Sequence, residues 1–203
     1  MKSKKEISNI NRKSMAEAKI KSFKTSKAWR NWLDKNQDNE EGIWLQVFKV
    51  DSGIESIKIT EALDEALCFG WIDGQRKSYD DQSYLQKYTP RRAQSIWSKR
   101  NIGIVEKLIA EGKMMPRGFA EIEKSKADGR WARAYDSHTT MQDAEDLLQA
   151  LAKDEKATMF YQSLNKTNKF AINFRLQTAK KPETRAKRLL EILAMLKEER
   201  KFH

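Results

Sequence analysis

Cysteine occurs once, at Cys68, histidine twice and proline three times, and eight glycines are scattered through 203 residues. A single thiol excludes an internal disulfide framework and suits a reducing compartment. With His138 and the terminal His203 as the histidines, a His/Cys metal centre lacks its ligands. No glycine precedes a helical pattern in the spacing of a phosphate-cradling loop or a dinucleotide fingerprint. No apolar run approaches the ~18 residues that a membrane span needs. The opening MKSKKEISNINRKSMAEAKI is basic but has no apolar segment or small-residue cleavage site, so no secretory signal is expected. These absences set the expectations: a cytoplasmic protein, no cofactor, no metal and no transmembrane segment.

What the chain has in quantity is charge. Charged residues make up 34% against 39% hydrophobic, the profile of a soluble globular chain, and the net charge is +11. That charge is uneven. Residues 1–27 hold nine Lys/Arg and two Glu, or +7, and residues 164–203 hold eleven Lys/Arg and four Glu, also +7. The middle is therefore 11 − 14 = −3. Two basic ends flank a slightly acidic body. Such ends suit phosphates or acidic lipid head groups, and equally a solvated tail and a helix with a lysine-rich outer face.

The periodicities predict an α+β chain. A helix is expected over Ser26–Asn36, where Trp29, Trp32 and Leu33 recur at helical spacing. Ile43–Val50 reads as a strand with both faces largely covered. Thr60 is the expected N-cap of a helix from Glu61 to about Phe69, stopped by Gly70. From Trp71 the pattern becomes an antiparallel hairpin, turning at Asp80–Gln82 and ended by Pro90. The rest reads as helical. Ser98 caps a helix lined by Ile102, Val105 and Ile109, and Pro116 opens another. Residues 130–140 read as a loop. Helices follow around Leu147–Leu151, Met159–Phe160 and Phe170–Phe174. The last begins at Pro182, with Ala186, Leu189, Leu190, Leu193 and Leu196 as its apolar stripe. The architecture is thus a small antiparallel sheet with helices in the N-terminal half, then a helical C-terminal half. A basic tail (1–25), an α+β region (26–115) and a helical region (116–203) are the expected parts. The last two are expected to pack as one unit, with a soft boundary near 112–118.

Three constellations carry chemistry. Asp73, at the start of a strand where a carboxylate is disfavoured, needs a partner, and Arg76, Arg91 or Arg92 could supply a guanidinium fork. One reading is an internal salt bridge; the other is an acidic group in a groove lined by Trp71 and tyrosines. Arg91 and Arg92 also precede the helix N-terminus at Trp97-Ser98, where Asn101 lies one turn in. Guanidinium and backbone N–H groups there make an anion pocket, unless Ser95 and Ser98 are only caps. The third is Ala179–Arg188, where Lys180, Arg185 and Arg188 form a cationic cluster beside Arg175, read either as solvated helix charge or as a nucleic-acid contact. His138, in Asp136-Ser137-His138, resembles a triad only by sequence adjacency, and triads need spatial adjacency. A buried, inert Cys68 is the plain reading of that thiol.

Three blocks also carry a family resemblance: GWIDG at Gly70–Gly74, the TPRR to SKRN run at Thr89–Asn101, and AKKPETRAKR at Ala179–Arg188. With these the chain resembles the bacteriocin-protection proteins, also called the YdeI/OmpD-associated family, from about Trp29 to Lys201. The resemblance implies a part in tolerance of bacteriocins and cationic antimicrobial peptides, in some members through association with an outer-membrane porin. It implies no established reaction.

Three functions stand side by side. The first is a non-enzymatic binding protein in envelope or antimicrobial-peptide stress, taking a protein partner or an anionic small molecule. Its face would join Trp71, Asp73, Arg76, Arg91, Arg92, Trp97, Ser98 and Asn101, with Lys180 and Arg185 gathered beside them. The second is a nucleic-acid binder using the two basic ends. The third is an enzyme with Asp73 as acid or base and the arginines holding an anionic substrate.

Overall fold

The computed structural model describes residues 19–202. The stretch expected to be frayed, residues 1–14, lies outside them, as does His203. The described residues form eight α-helices and a four-stranded sheet, with the strands in the N-terminal half. This is the α+β class that the sequence predicts. The chain divides into two compact units. One runs to Ser95 and adds Ile104–Ser125; the other is Ile96–Gly103 and the chain from Lys126 onward.

In the first unit, β1 (Ile20–Ser22), β2 (Ile43–Phe48), β3 (Trp71–Ser78) and β4 (Ser83–Pro90) lie in the order β1-β2-β4-β3. The hairpin β3–β4 and the pair β2–β4 are antiparallel, as expected. β1 instead runs parallel to β2, with Ile20 opposite Trp44. The tail expected over 1–25 thus ends in an edge strand. All three of its residues are exposed, so no alternation betrayed it. β2 buries Ile43, Leu45 and Val47 and leaves Trp44, Gln46 and Phe48 partly covered, so one face is sealed and the other largely covered, as the sequence reads. Val50 lies beyond the strand in a 3-10 turn and is 97% exposed.

Helix α1 (Ser26–Lys35) is capped by the Thr25 hydroxyl and buries Trp29 and Leu33. Trp29 stacks on Trp32 at 5.3 Å and donates to the Ala62 carbonyl at 3.0 Å, which docks α1 on α2 (Ile59–Cys68). Thr60 is not the cap of α2. The helix starts earlier, at Ile59, with the Ala62 amide donating to the Lys58 carbonyl at 2.9 Å; Lys58 stands at the N-cap and makes no side-chain cap. Helix α3 (Lys99–Ala110) is capped by Ser98 as expected, but it buries Val105 and Leu108 and exposes Ile109. The unit boundary passes through α3 rather than falling near 112–118. Helix α4 (Pro116–Ala127) stays with the first unit because Gly118 lets it approach Cys68 closely. A Cβ on Gly118 would stand 2.2 Å from the Cys68 carbonyl oxygen.

The second unit holds α5 (Glu145–Leu151), α6 (Glu155–Ser163), α7 (Lys166–Gln177) and α8 (Pro182–Lys197). Asp154 and Asn165 cap α6 and α7. Their core joins Leu147, Leu151, Tyr161, Ile172, Leu176, Ile192 and Leu196. On α8 the apolar stripe is rotated from its expected course. Ile192, Met195 and Leu196 are buried, Leu189 and Leu193 are partly so, and Leu190 is 69% exposed. Among the described residues no helix is long and apolar enough to cross a membrane.

Candidate functional site

The ten residues singled out by sequence are divided between the units. Trp71, Asp73, Arg76, Arg91 and Arg92 belong to the first; Trp97, Ser98, Asn101, Lys180 and Arg185 belong to the second. The hairpin and the Pro182 helix therefore do not assemble their polar groups within one unit. Trp71 is fully buried, opposite Pro90 and edge-on to Trp32 at 5.9 Å. Among the described residues its indole N–H and the Tyr88 hydroxyl find no hydrogen-bond partner, and at 0% exposure both rings are core rather than groove wall. Asp73 is exposed opposite Tyr88. Burial first, and then the Asp73 charge, push the Tyr88 hydroxyl far above the ordinary phenol value.

A register shift follows Asp73 and re-aims the strand. Arg76 then lies over the Tyr84 ring at 4.8 Å and donates to Gln86 Oε1 at 3.0 Å. Arg91 is buried, its amide bonded to the Gly70 carbonyl at 2.9 Å. Arg92 is exposed, and its amide is taken by Ser95 Oγ at 3.0 Å. Ser95 closes that turn. In the second unit Trp97 is buried against Trp131, Ser98 Oγ accepts from the Asn101 amide at 3.1 Å, and Asn101 is itself buried. Ser98 thus caps α3, as its sequence context predicts.

The third constellation is also largely committed. Arg185 grips both oxygens of Asp146 at 2.7 and 2.8 Å and donates to the Leu176 carbonyl at 2.9 Å. One guanidinium thereby ties the start of α8 to α5 and to the end of α7. The Arg185 guanidinium holds the Asp146 carboxyl below the usual carboxylate range. Arg175 pairs with Glu191 at 2.9 Å, and Arg188 donates to the Arg175 carbonyl at 2.7 Å. Lys180 stays exposed.

A recess in the second unit lies elsewhere. A cleft of about 550 Å³ opens between the 138–143 loop and the first turns of α7. Lys166, Lys169, Phe170 and Asn173 line it from one face of the helix, at i, i+3, i+4 and i+7. From sequence, a helix is expected around Phe170–Phe174, but none of Lys166, Lys169 or Asn173 is singled out. His138, Met141 and Asp143 line it from the loop, with the His138 ring 5.1 Å from Phe170. The loop is knitted by Ser137, whose hydroxyl lies 2.9 Å from Thr139 Oγ1 and 3.0 Å from Thr140 Oγ1. Asp136 turns instead to Lys99, at 2.8 Å, and to Gln177, at 2.6 Å. The residues adjacent to His138 in sequence are thus engaged away from it.

Asn173 is the rivet under the cleft. It is 2% exposed. Its amide nitrogen reaches Asp143 Oδ1 at 2.8 Å, Tyr161 Oη at 3.0 Å and the Lys169 carbonyl at 3.0 Å, and its oxygen accepts from the Ala144 amide at 2.8 Å. Tyr161 also donates to Asp143 Oδ1. Burial, then this carboxylate, push the Tyr161 hydroxyl well above the ordinary phenol value, so it stays a donor at neutral pH. Lys169 Nζ rests 5.3 Å from the Tyr161 ring and 3.3 Å from the Gln162 carbonyl. Among the described residues neither Lys166 nor Lys169 has a carboxylate within ion-pair distance.

Comparison with known proteins divides the chain in a similar way. Residues 142–199 match the family model for bacteriocin-protection, YdeI or OmpD-associated proteins, and residues 21–121 match a domain of unknown function, DUF8412. Of the three blocks carrying the resemblance, Ala179–Arg188 lies in the first match, and Gly70–Gly74 and Thr89–Asn101 lie in the second. No curated protein and no solved structure matches the chain.

Proposed function

We propose, from the match of residues 142–199 to the bacteriocin-protection, YdeI or OmpD-associated family model, that this is a binding protein acting in tolerance of bacteriocins and cationic antimicrobial peptides. Its binding element is the cleft on α7. The observation that carries this reading is the position of the cleft: Gln142, Asp143, Lys166, Lys169, Phe170 and Asn173 line it, and all fall within the family match. Its volume is that of a small-molecule site. Its walls are held before any ligand arrives, because Asn173, Tyr161 and Asp143 spend their polar atoms on one another.

The cationic peptides themselves are not the occupant. Lys166 and Lys169 would face them with like charge, which disfavours contact at short range. Protection then acts through what the cleft holds, not by sequestering the toxin. The test is survival. Cells lacking the gene should die more readily than wild type under bacteriocins and polymyxin-like peptides, and restoring it should restore survival. Equal survival in every challenge contradicts the proposal.

A further inference from the structure

The chemistry of the cleft goes further than the fact of binding. We infer that it takes a small organic anion, a carboxylate or phosphate on an apolar or aromatic body, with the anionic group at Lys166 and Lys169 and the body against Phe170 and Met141. This rests on the reading of the cleft as the binding site, and it adds the class of ligand.

The cleft has charge left over. Three ionised groups line the cleft, Lys166, Lys169 and Asp143, together with the imidazole of His138. Asp143 is turned toward the floor, where its Oδ1 accepts from both Tyr161 and Asn173. It keeps a single negative charge, which the two lysines outnumber. The lysines are the reverse case. Neither has an acidic partner among the described residues, and they stand one turn apart on the same face of α7. Elsewhere in this unit Lys99 is paired with Asp136 and Lys197 with Asp154. The cleft therefore carries an excess of positive charge that the fold does not neutralise.

Two further features agree. The lysines lie in the first turns of a twelve-residue helix, where the backbone dipole also favours an anion. Phe170, half-buried and continuous with Phe174 at 5.7 Å, gives the wall an apolar surface against which a flat body can lie. An ion alone would use the lysines and leave that surface idle.

The experiment is an NMR titration of the full-length protein with four probes: phenyl phosphate, benzoate, inorganic phosphate and benzylamine. Phenyl phosphate or benzoate, or both, should give saturable shifts centred on the amides of residues 166–173, and their ranking identifies phosphate or carboxylate as the better group. Inorganic phosphate should bind several-fold more weakly than phenyl phosphate, and benzylamine should give no saturable shift. Lys166→Gln and Lys169→Gln should each weaken the aromatic anion roughly three- to tenfold, more at low salt than at high. Lys187→Gln, on the exposed side of α8, should leave it unchanged. Phe170→Leu, which keeps apolar bulk, should narrow the gap between phenyl phosphate and inorganic phosphate. The inference is overturned if neither aromatic anion saturates, if benzylamine binds as well as benzoate, if inorganic phosphate equals phenyl phosphate, or if the lysine variants bind like wild type. A flat titration beside a clear survival defect in the deletion strain would remove the ligand class and leave the role in tolerance standing.

Discussion

Asn173 and Gly118 show how single side chains decide where this chain can and cannot change. Asn173 satisfies a buried amide with four neighbours and so fixes the floor of the cleft. Gly118 does its work by having no side chain. With only 2.2 Å between an added Cβ and the Cys68 carbonyl oxygen, and 2.9 Å to its carbon, the obstruction is backbone and cannot rotate away. Gly118→Ala should therefore destabilise the first unit by about 1–3 kcal/mol, the usual cost of overpacking, although alanine is the better helix former. Urea unfolding followed by tryptophan fluorescence measures this; an unchanged or raised midpoint would show that α4 moves away freely.

At the scale of the element, α8 shows why a charged motif need not be a binding motif. Its cluster at Lys180, Arg185 and Arg188 reads in the sequence as a cationic face. In the fold, Arg185 is the clasp of three helices, through Asp146 and the Leu176 carbonyl. Arg185→Gln should cost the second unit about 1 kcal/mol, a figure kept low because both partners remain a third exposed. Asp146 has a depressed carboxyl, so its contribution is present above the ordinary carboxylate value and lost as pH falls through the folded one. The difference between wild type and variant should thus shrink in acid. A gap that stays constant from neutral to acidic pH would show that the pair is not its source.

The same contrast marks what could be read in advance. The hairpin from Trp71 to Pro90, the Ser98 cap and the helix after Pro182 were legible because turn residues, caps and helical period act within a few residues of chain. Edge strand β1 was not, since its pairing with β2 is long-range and its own residues are exposed. The cleft was half-legible. The run Lys166–Lys169–Phe170–Asn173 states one face of a helix, but only the fold brings His138 and Asp143 to it.

At the scale of the whole molecule, two units carry two different family matches, one of unknown function and one tied by its name to bacteriocin protection. The excess of lysine and arginine in residues 164–203 is partly absorbed there by Asp146, Asp154 and Glu191. Of the cations that are not absorbed, Lys166 and Lys169 are the two that line the cleft. One cleft is thus the proposed working part of the protein. The most direct test is survival of deletion cells carrying the Lys166→Gln/Lys169→Gln double variant at wild-type protein level under bacteriocin challenge. Survival as poor as in cells with no copy of the gene is predicted; full protection by the double variant would contradict the account.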